Sequence, residues 1–377
     1  MKSIDIVIIG AGASGLMLGA LLKDRDFLIV EKNPQIGSKI LVSGGGRCNI
    51  TNEKVTPKNY LGNQKFIRDI IKRFDQHKLL SWLNQRGLTP QLKKENQYFC
   101  KNSSKELLEV LRKEIDKKNI QLNTEVMSVK NIDGIFAIDT NRGKILAKNL
   151  VVASGGLSFA KLGASDIGYK IAKDFGHNIS TLNPALVGFT LQPEQFFFKE
   201  LSGISVDVKV TIEKKEIRGS LLFAHKGISG PAILNSSLYW QKGKITIDFI
   251  PNIELKQLKS SKKHISNLLN IPNRLAKAFL KELQIEDKPA NRLTANEYQK
   301  LTLLKNYSFA PAGTFGYTKA EVTKGGIDTD EIDNSNMMSK KQKNLYFLGE
   351  LLDVTGELGG YNFQWAFSTA FVCAKAI

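Results

Sequence analysis

The sequence is poor in cysteine and histidine, with three cysteines and four histidines among 377 residues. Cys48, Cys100 and Cys373 lie far apart, and no C-x-x-C pair occurs. Neither a disulfide framework, a zinc site nor a redox dithiol of the disulfide-reductase kind is therefore indicated. The chain also lacks an apolar run of about 18 residues, the length needed to span a bilayer.

The N-terminal segment imitates a secretory signal only superficially. One lysine precedes the apolar run at residues 4–9, but that run ends in a glycine-rich turn without a cleavage site. The segment is more typical of a first β-strand, and we expect the protein to be cytoplasmic. With 42% hydrophobic residues, the chain is long enough for two or three domains.

Acidic residues are also scarce, since 36 of them face 54 lysines and arginines and leave a net charge of +18. The excess is concentrated in two stretches that resemble helical sequence, residues 64–118 with 14 basic and 7 acidic residues and residues 254–306 with 11 and 5. Such a charge favours polyanions such as RNA. The alternative is a lysine-rich surface that only keeps the protein soluble.

The first thirty residues carry a dinucleotide-binding fingerprint. A short apolar strand precedes Gly10, Gly12 and Gly15, a helical segment follows, and a second apolar strand ends at Glu31. In a G-x-G-x-x-G turn the glycines allow the tight turn, the approach of a pyrophosphate and the packing of helix on strand. Glu31 is placed to accept hydrogen bonds from ribose hydroxyls, which argues against NADP at this site.

The rest of the chain contains no second such fingerprint, so any NAD(P)H is expected to bind only transiently. Residues 120–152 predict a three-stranded β-meander, with turns at Asp133-Gly134 and Asn141-Arg142-Gly143. Apolar and polar residues alternate over about 185–252, which predicts an antiparallel sheet or barrel. Short helices are expected over 254–306, and a terminal helix from Asn362.

Four blocks together resemble a known family. They are GSKILVSGGGRCNITN (37–52), ASGGLSFAKLGASDIGYKIA (153–172), FAHKGISGPAIL (223–234) and GELLDVTGELGGYNFQWAFSTA (349–370). The chain is similar over nearly its whole length to bacterial NAD(P)/FAD-dependent oxidoreductases of the aminoacetone oxidase-like kind, a family that includes ribosomal RNA dihydrouridine synthases. The resemblance implies an α/β fold, a Rossmann-like FAD-binding domain interrupted by an antiparallel β-barrel and a small helical domain. The expected divisions are 1–185, 186–253, 254–318 and 319–377.

The resemblance also implies roles by position. The glycine cluster would lie against the reactive end of FAD, the segment from Gly349 beside the ribityl chain and pyrophosphate, and the segment from Gly359 against the pyrimidine edge of the flavin, where a helix dipole stabilises negative charge. The predicted cofactor-binding residues are Gly10, Gly12, Ala13, Ser14, Gly15, Glu31, Lys32, Lys39, Gly44, Gly45, Gly46, Arg47, Asn49, Val126, Ser154, Gly155, Gly156, Gly349, Glu350, Asp353, Gly359, Gly360, Tyr361 and Asn362.

One segment departs from the family pattern. Many relatives carry Gly-Arg-x-Phe-Pro where this chain has residues 96–100, NQYFC, so an arginine and a proline are missing. Any substrate or cofactor contact made by those two residues in relatives is in doubt here.

Several residues have two interpretations. Cys48 is the first candidate to protonate a substrate carbon, or it packs within the glycine-rich turn. Arg47 is a candidate catalytic residue that clamps phosphate or substrate, or it forms a surface ion pair. His225 is a proton donor or a turn histidine bonded to backbone. The aromatic residues Tyr307, Phe309, Phe315 and Tyr317 stack a base or pack in a core.

The expected activity is NAD(P)H-driven reduction of a uridine in ribosomal RNA to dihydrouridine, with FAD as cofactor and the basic stretches gripping the RNA. Hydride would arrive at C6 of uracil and a proton at C5, after the base has left its stack. The alternatives are an oxidase or reductase of amines, steroids or enones, and a non-catalytic RNA-binding flavoprotein. Neither the oligomeric state nor the choice between NADH and NADPH follows from the sequence.

Overall fold

The computed structural model describes residues 3–377, with the side chain of Lys94 left aside. The chain forms two compact units, one made of the residues up to Pro184 together with Glu321–Ile377, the other of Ala185–Ala320. We call them unit 1 and unit 2. Unit 1 is thus assembled from two separate parts of the sequence. The four predicted domain boundaries stay predictions.

The strands of both units are mostly short, with ten residues in each of the two longest. In chain order they are β1 Ile4–Ile9, β2 Phe27–Val30, β3 Asn49–Asn52, β4 Tyr60–Gly62, β5 Gln91–Leu92, β6 Gln97–Phe99, β7 Ile120–Gln121, β8 Val126–Ile132, β9 Ile135–Thr140, β10 Gly143–Val152, β11 Asn183–Ala185, β12 Phe189–Thr190, β13 Ser205–Ile212, β14 Lys215–Ala224, β15 Gly227–Ser229, β16 Ile245–Asp248, β17 Tyr307–Phe309, β18 Gly313–Thr314, β19 Val322–Lys324, β20 Leu345–Phe347 and β21 Val354–Gly356.

The α-helices show the same division into short elements, with one long helix at the C-terminus. They are α1 Ala13–Leu21, α2 Ser38–Val42, α3 Gln64–Arg73, α4 Gln76–Asn84, α5 Lys105–Lys113, α6 Ile167–Asp174, α7 Pro231–Tyr239, α8 Leu255–Leu258, α9 Ile265–Leu268, α10 Asn273–Glu282, α11 Ala295–Leu301 and α12 Tyr361–Ala374. No helix within residues 3–377 is long and apolar enough to cross a membrane.

The main sheet of unit 1 has a Rossmann-like centre. Its strand order is β7-β2-β1-β10-β9-β8, and β20 also pairs with β10. Strands β7, β2, β1, β10 and β20 pair in parallel. Parallel strands are covered on both faces, which explains why β2 is a continuous apolar run and why β1 is apolar apart from Asp5. Helices α1 and α12 pack against each other and are buried over most of their surfaces.

The predicted meander is confirmed as β8, β9 and β10, which pair antiparallel in sequence order. Its first turn places Asp133 and Gly134 at positive φ, 50° and 85°. Gly143 in the second turn has φ 108°. Such turns require residues that tolerate positive φ, so both turns could be predicted from the sequence.

Two small sheets of unit 1 frame the candidate site. Strands β3, β6 and β5 form an antiparallel sheet with β6 in the middle, and β21 pairs antiparallel with β4. Strand β3 directly follows the glycine cluster at residues 44–46, while β21 directly precedes the turn into α12. Both sheets therefore attach loops of the site to the rest of the unit. A further pair is formed by β11 and β19.

Unit 2 contains an antiparallel sheet of order β17-β16-β13-β14-β15-β12-β18. Along β13 every second residue is buried, as the alternating sequence predicts. The helices predicted over 254–306 are confirmed as α8 to α11. Side chains from the sheet and these helices share one hydrophobic cluster, to which Tyr307 and Phe309 belong, so core packing accounts for these two aromatics.

A buried polar network ties two parts of unit 1 together. His177 lies between Glu331, 3.1 Å from Nδ1, and the Ser339 hydroxyl, 2.7 Å from Nε2. Asn178 and Lys341 also bind the Glu331 carboxylate. The order Ser339, His177 and Glu331 resembles a hydrolase triad. The Ser339 hydroxyl is buried, however, and accepts hydrogen bonds from two backbone N–H groups, so it is not an accessible nucleophile.

This network predicts a loss of stability in mild acid. Burial lowers the pKa of His177 below its ordinary 6.5, and Lys341 lowers it further, against the opposing effect of Glu331. As pH falls below 6.5, the unfolded chain binds a proton at His177 that the folded chain does not yet bind, so the free energy of unfolding decreases. Urea unfolding between about pH 5 and 7 should show this slope for the wild type and a flatter one for His177→Asn. Equal slopes would locate the titration elsewhere.

Candidate dinucleotide-binding site

The loops that follow four parallel strands meet at one edge of the main sheet. The glycine turn follows β1, Glu31 follows β2, Ser154–Gly156 follow β10 and Gly349 follows β20. Backbone bonds from Ala153 N to Ile9 O (2.9 Å) and from Leu348 N to Val152 O (3.1 Å) hold neighbouring strand ends in register. In open α/β sheets ligands bind at the carboxyl ends of the strands, so this edge is the candidate site.

The three fingerprint glycines have three different environments. A Cβ on Gly10, at φ 103°, would lie 2.7 Å from Ala153 O, and one on Gly15 would overlap the Gly10 carbonyl oxygen. A Cβ on Gly12 would meet nothing within 4 Å. Gly10 and Gly15 are therefore required by the protein's own packing, whereas Gly12 faces open space that a ligand can occupy.

Helix α1 begins at this open space. Its N-cap is Gly12, and no side chain caps the helix or adds an acid to its first turn. The first N–H groups of a helix have no partner within the helix, and they carry the positive end of its dipole. Ala13 and Ser14 thus stand where a pyrophosphate binds in dinucleotide folds.

Each oxygen of the Glu31 carboxylate accepts a hydrogen bond from a backbone N–H group. Oε2 accepts from Ala11 N at 2.8 Å and Oε1 from Asn33 N at 2.9 Å. Each carboxylate oxygen keeps a second lone pair for another donor. The side chain therefore fixes the glycine turn and still has acceptor capacity on both oxygens; its binding of ribose hydroxyls stays a prediction.

A second carboxylate, Glu350, lies where β20 ends. Lys39 Nζ is 2.8 Å from its Oε2, and Thr323 N donates to its Oε1 at 2.9 Å. A Cβ on Gly156 would lie 2.9 Å from Oε1, so the predicted residues Lys39, Gly156 and Glu350 are brought together. Gly349, at φ 64°, lies against the Ser14 side chain.

The glycine cluster forms a left-handed loop. Gly44, Gly45 and Gly46 have φ of 55°, 65° and 82°, a conformation that strains other residues. A Cβ on Gly45 or Gly46 would meet nothing within 4 Å, so the loop bares its backbone to open space. Arg47 is exposed, and its guanidinium forms no ion pair within residues 3–377. This favours the clamp interpretation of Arg47 over the surface ion pair.

The glycine loop and the start of α12 lie side by side. The Asn49 amide is in contact with Gly360, which precedes α12 and has φ 90°. Asn52 Nδ2 donates to Gly359 O at 3.2 Å, and the Asn362 amide exchanges two bonds with Gly356. Helix α12 has no side-chain cap, so its N-terminus is the second uncapped helix end at the site.

Cys48 lies inside this arrangement but is fully buried. Burial raises the pKa of its thiol to about 12, against a hydrogen bond from Ser43 that lowers it. Cys100 N bonds to Arg47 O and Cys48 O, which brings the two cysteines to neighbouring strands although no C-x-x-C links them. The burial favours the packing interpretation of Cys48; its catalytic role stays a prediction.

Three predicted cofactor residues have buried or partly buried side-chain groups. The Ser154 hydroxyl lies against Gly168 of α6, Val126 is buried in β8, and burial raises the pKa of Asp353, which is near Asp328. Their contacts with a cofactor stay predictions. Lys32 follows Glu31 after the end of β2, and Tyr361, the first residue of α12, is buried.

Sequence reasoning missed three contributors to the site. Thr323 holds Glu350, Asn52 holds Gly359, and Gln97 bonds the Asn49 amide at 2.6 Å. Each acts across a long stretch of chain, so no local spacing could have paired it with its partner. His225, by contrast, is exposed in unit 2 and forms no hydrogen bond through its side chain within the described part of the chain.

The residues present fit an FAD molecule. Glu31 provides acceptors for an adenosine ribose, the open space at Gly12 and α1 suits a pyrophosphate, and the bare loop with α12 suits a flavin ring. Groups of histidine, cysteine and carboxylate residues able to hold a metal are absent from residues 3–377.

The fold and this edge define a Rossmann-like dinucleotide-binding protein. The family model described as HI0933-like protein Rossmann domain matches residues 4–376. The chain belongs to this family.

Relatives extend over the full length. The chain is 39% identical to "Ribosomal RNA dihydrouridine synthase" of Escherichia coli (strain K12), covering 100% of this chain and 98% of the relative. The same name and identity apply to a relative from Haemophilus influenzae, with 98% of each chain covered. "3-dehydro-bile acid delta(4,6)-reductase" of Clostridium scindens is 30% identical, again over 98% of both chains. Among solved structures, a flavocytochrome c3 fumarate reductase aligns with a TM-score of 0.47 at 14% identity, over 99% of this chain and 78% of its own.

Proposed function

We propose that this protein is an FAD-dependent enzyme that reduces a uridine of ribosomal RNA to dihydrouridine, with NAD(P)H as a transient reductant. The observation that carries the proposal is the 39% identity to two ribosomal RNA dihydrouridine synthases over nearly the whole of both chains. At 30% identity, the bile acid reductase supports a redox chemistry on carbon–carbon double bonds but is the more distant relative.

The roles of the site residues follow from their positions. Bound at this site, FAD would supply hydride transfer from NAD(P)H to C6 of uracil. The N-terminus of α1 binds the pyrophosphate and Glu31 the ribose. The N-terminus of α12 at Gly360 would stabilise negative charge on the pyrimidine edge of the flavin. Arg47, exposed beside the bare loop, pairs with an RNA phosphate.

The basic residues of unit 2 support an RNA substrate. On α10, Arg274, Lys277 and Lys281 are exposed along one face, while Leu275 and Phe279 on the other face are buried. Such a stripe suits a phosphate backbone, and affinity that depends on it falls as salt rises. A neutral small substrate would not respond to salt in this way.

The test is a map of dihydrouridine in ribosomal RNA from cells with and without this gene. We expect one dihydrouridine to be lost without the gene and restored by the wild type, but not by Arg47→Gln. Arg47→Lys, which keeps the charge but not the fork of donors, should restore it partly. An unchanged map would refute the RNA activity and leave the FAD site to be tested with small enone acceptors.

Cys48 provides a separate prediction about the proton delivered to C5. Because the thiol is fully buried, we expect Cys48→Ala to change the rate of dihydrouridine formation by no more than about threefold, far below the ~100-fold or more that a general acid contributes. Single-turnover reoxidation of the reduced enzyme by RNA measures this rate. Cys373→Ala, which removes another fully buried thiol, controls for lost packing. A loss of ~100-fold specific to Cys48 would establish it as the proton donor.

A further inference from the structure

The small sheet beside the glycine loop presents a mixed polar and aromatic face. In antiparallel pairs, directly opposed residues share a face. Phe99 of β6 is opposite Asn49 on one side and Gln91 on the other, and Lys93 N bonds Gln97 O. Lys93, Gln97 and Phe99 therefore lie on the same face as Asn49. We call these three residues the hairpin face.

The hairpin face is in direct contact with the glycine loop. Phe99 Cε1 lies 3.0 Å from where a Cβ on Gly44 would stand, so its ring packs against the loop backbone. Gln97 Oε1 is 2.6 Å from Asn49 Nδ2, and Asn49 in turn contacts Gly360 at the start of α12. The face thus borders the open space in front of Gly45, where the flavin end of the proposed cofactor lies.

Its chemistry matches a nucleotide. Lys93 Nζ lies 5.3 Å from the centre of the Phe99 ring, so a cation and an aromatic surface are adjacent, and both side chains are partly exposed. Aromatic rings stack bases, while a lysine pairs with the phosphate. The Gln97 amide donates to Glu95 Oε2 at 3.0 Å and retains a second N–H and a second oxygen lone pair.

An amide is suited to uracil in particular. The imide edge of uracil offers one N–H donor between two carbonyl acceptors, and an amide that keeps one donor and one acceptor can pair with it on two atoms. Neither a charged carboxylate nor a lysine alone has both groups. The sequence NQYFC, which departs from the family pattern, places this amide where many relatives have arginine.

We propose that Lys93, Gln97 and Phe99 form the nucleotide subsite that receives the target uridine: Phe99 stacks the base, Gln97 binds its imide edge and Lys93 pairs with its phosphate. The subsite rests on the proposed reduction of a uridine in RNA. In this proposal the hairpin β5–β6 selects the substrate, while the strand ends of the main sheet and the helix termini bind the cofactor.

The test uses the FAD-loaded enzyme and a short single-stranded oligoribonucleotide that contains one uridine, with binding measured by fluorescence anisotropy. We expect Phe99→Leu to raise Kd by about tenfold, within the range for loss of one stacked base. Lys93→Gln should reduce the slope of log Kd against log salt by about 0.7, the value for one phosphate on a single strand. The matched control Lys130→Gln, an exposed lysine on β8, should leave both unchanged.

Base selection separates Gln97 from a merely structural role. The wild type should bind the uridine oligonucleotide more tightly than one with N3-methyluridine, which lacks the imide donor. Gln97→Leu should abolish this preference, while Gln97→Asn should keep part of it. The visible spectrum of the bound flavin should be the same in all variants.

The outcomes distinguish the two proposals. If the wild type binds and reduces uridine while Phe99→Leu, Lys93→Gln and Gln97→Leu bind RNA as tightly as it does, the subsite is refuted and the proposed function stands. If the wild type neither binds the oligonucleotide nor forms dihydrouridine, both are refuted. A change in the flavin spectrum of Gln97→Leu would assign that residue to the cofactor and overturn its role in base selection.

Discussion

Replacing Gly12 by alanine is expected to weaken FAD binding by about 5- to 150-fold without unfolding the apoprotein, which corresponds to the 1–3 kcal/mol typical of an added methyl in a filled space. Among residues 3–377, a Cβ on Gly12 would meet no protein atom within 4 Å apart from its chain neighbours, and its φ of −86° is open to alanine. The methyl group therefore strains nothing in the protein itself. It occupies the position that a pyrophosphate needs at the start of α1.

Gly15→Ala provides the contrast for this experiment. A Cβ there would overlap the carbonyl oxygen of Gly10, so we expect loss of folded protein rather than loss of FAD alone. Thermal unfolding of the apoproteins and titration with FAD by fluorescence quenching measure the two effects separately. If Gly12→Ala bound FAD as tightly as the wild type, the pyrophosphate would not lie at this turn. If it unfolded, the turn would be tighter than the structure shows.

Local patterns predicted the elements that depend on neighbouring residues. The strand, glycine turn and helix up to Glu31 form one continuous stretch, and their geometry follows from the spacing of Gly10, Gly12 and Gly15. The meander was predictable for the same reason, because its turns need residues that accept positive φ. The alternation in β13 and the short helices of unit 2 also follow from periodicity alone.

Contacts between distant parts of the chain could not be predicted in this way. Lys39 and Glu350 are 311 residues apart, and nothing in either neighbourhood indicates that they form an ion pair. The hydrogen bonds of Gln97 and Thr323 within the site depend equally on the fold. The resemblance indicated the segments expected at the flavin end, but the burial of the Ser154 hydroxyl and the partial burial of Asp353 emerged only from the structure.

Burial also changed the interpretation of single residues. Cys48 stands next to Arg47 in a predicted functional loop, which made it the first candidate to protonate a substrate carbon. In the structure Arg47 is exposed while Cys48 is fully buried. Burial raises the pKa of the thiol to about 12. A sequence motif names the residues of a turn, but only the fold decides which of their side chains are accessible.

Replacing Glu31 by alanine is expected to lower the affinity for FAD by about 100-fold or more, since hydrogen bonds to a charged group contribute roughly 1.5–3 kcal/mol each. The carboxylate accepts from Ala11 N and Asn33 N, and its remaining lone pairs would accept from the proposed ribose. Glu31→Gln should show an intermediate loss, because one amide oxygen can still accept while the NH₂ group faces a backbone donor. Glu216→Gln, an exposed carboxylate of unit 2, is the control.

ADP and 2′,3′-dideoxy-ADP separate the two roles of Glu31. Both carry a pyrophosphate, but only ADP has the ribose hydroxyls that the carboxylate would bind. The wild type should therefore prefer ADP, and Glu31→Ala should bind both equally weakly, because it has lost the ribose acceptor and the support of the glycine turn. If the variant bound both weakly but still preferred ADP, Glu31 would only shape the turn, and another group would bind the ribose. If the wild type itself showed no preference, the adenosine half would not lie at the end of β2.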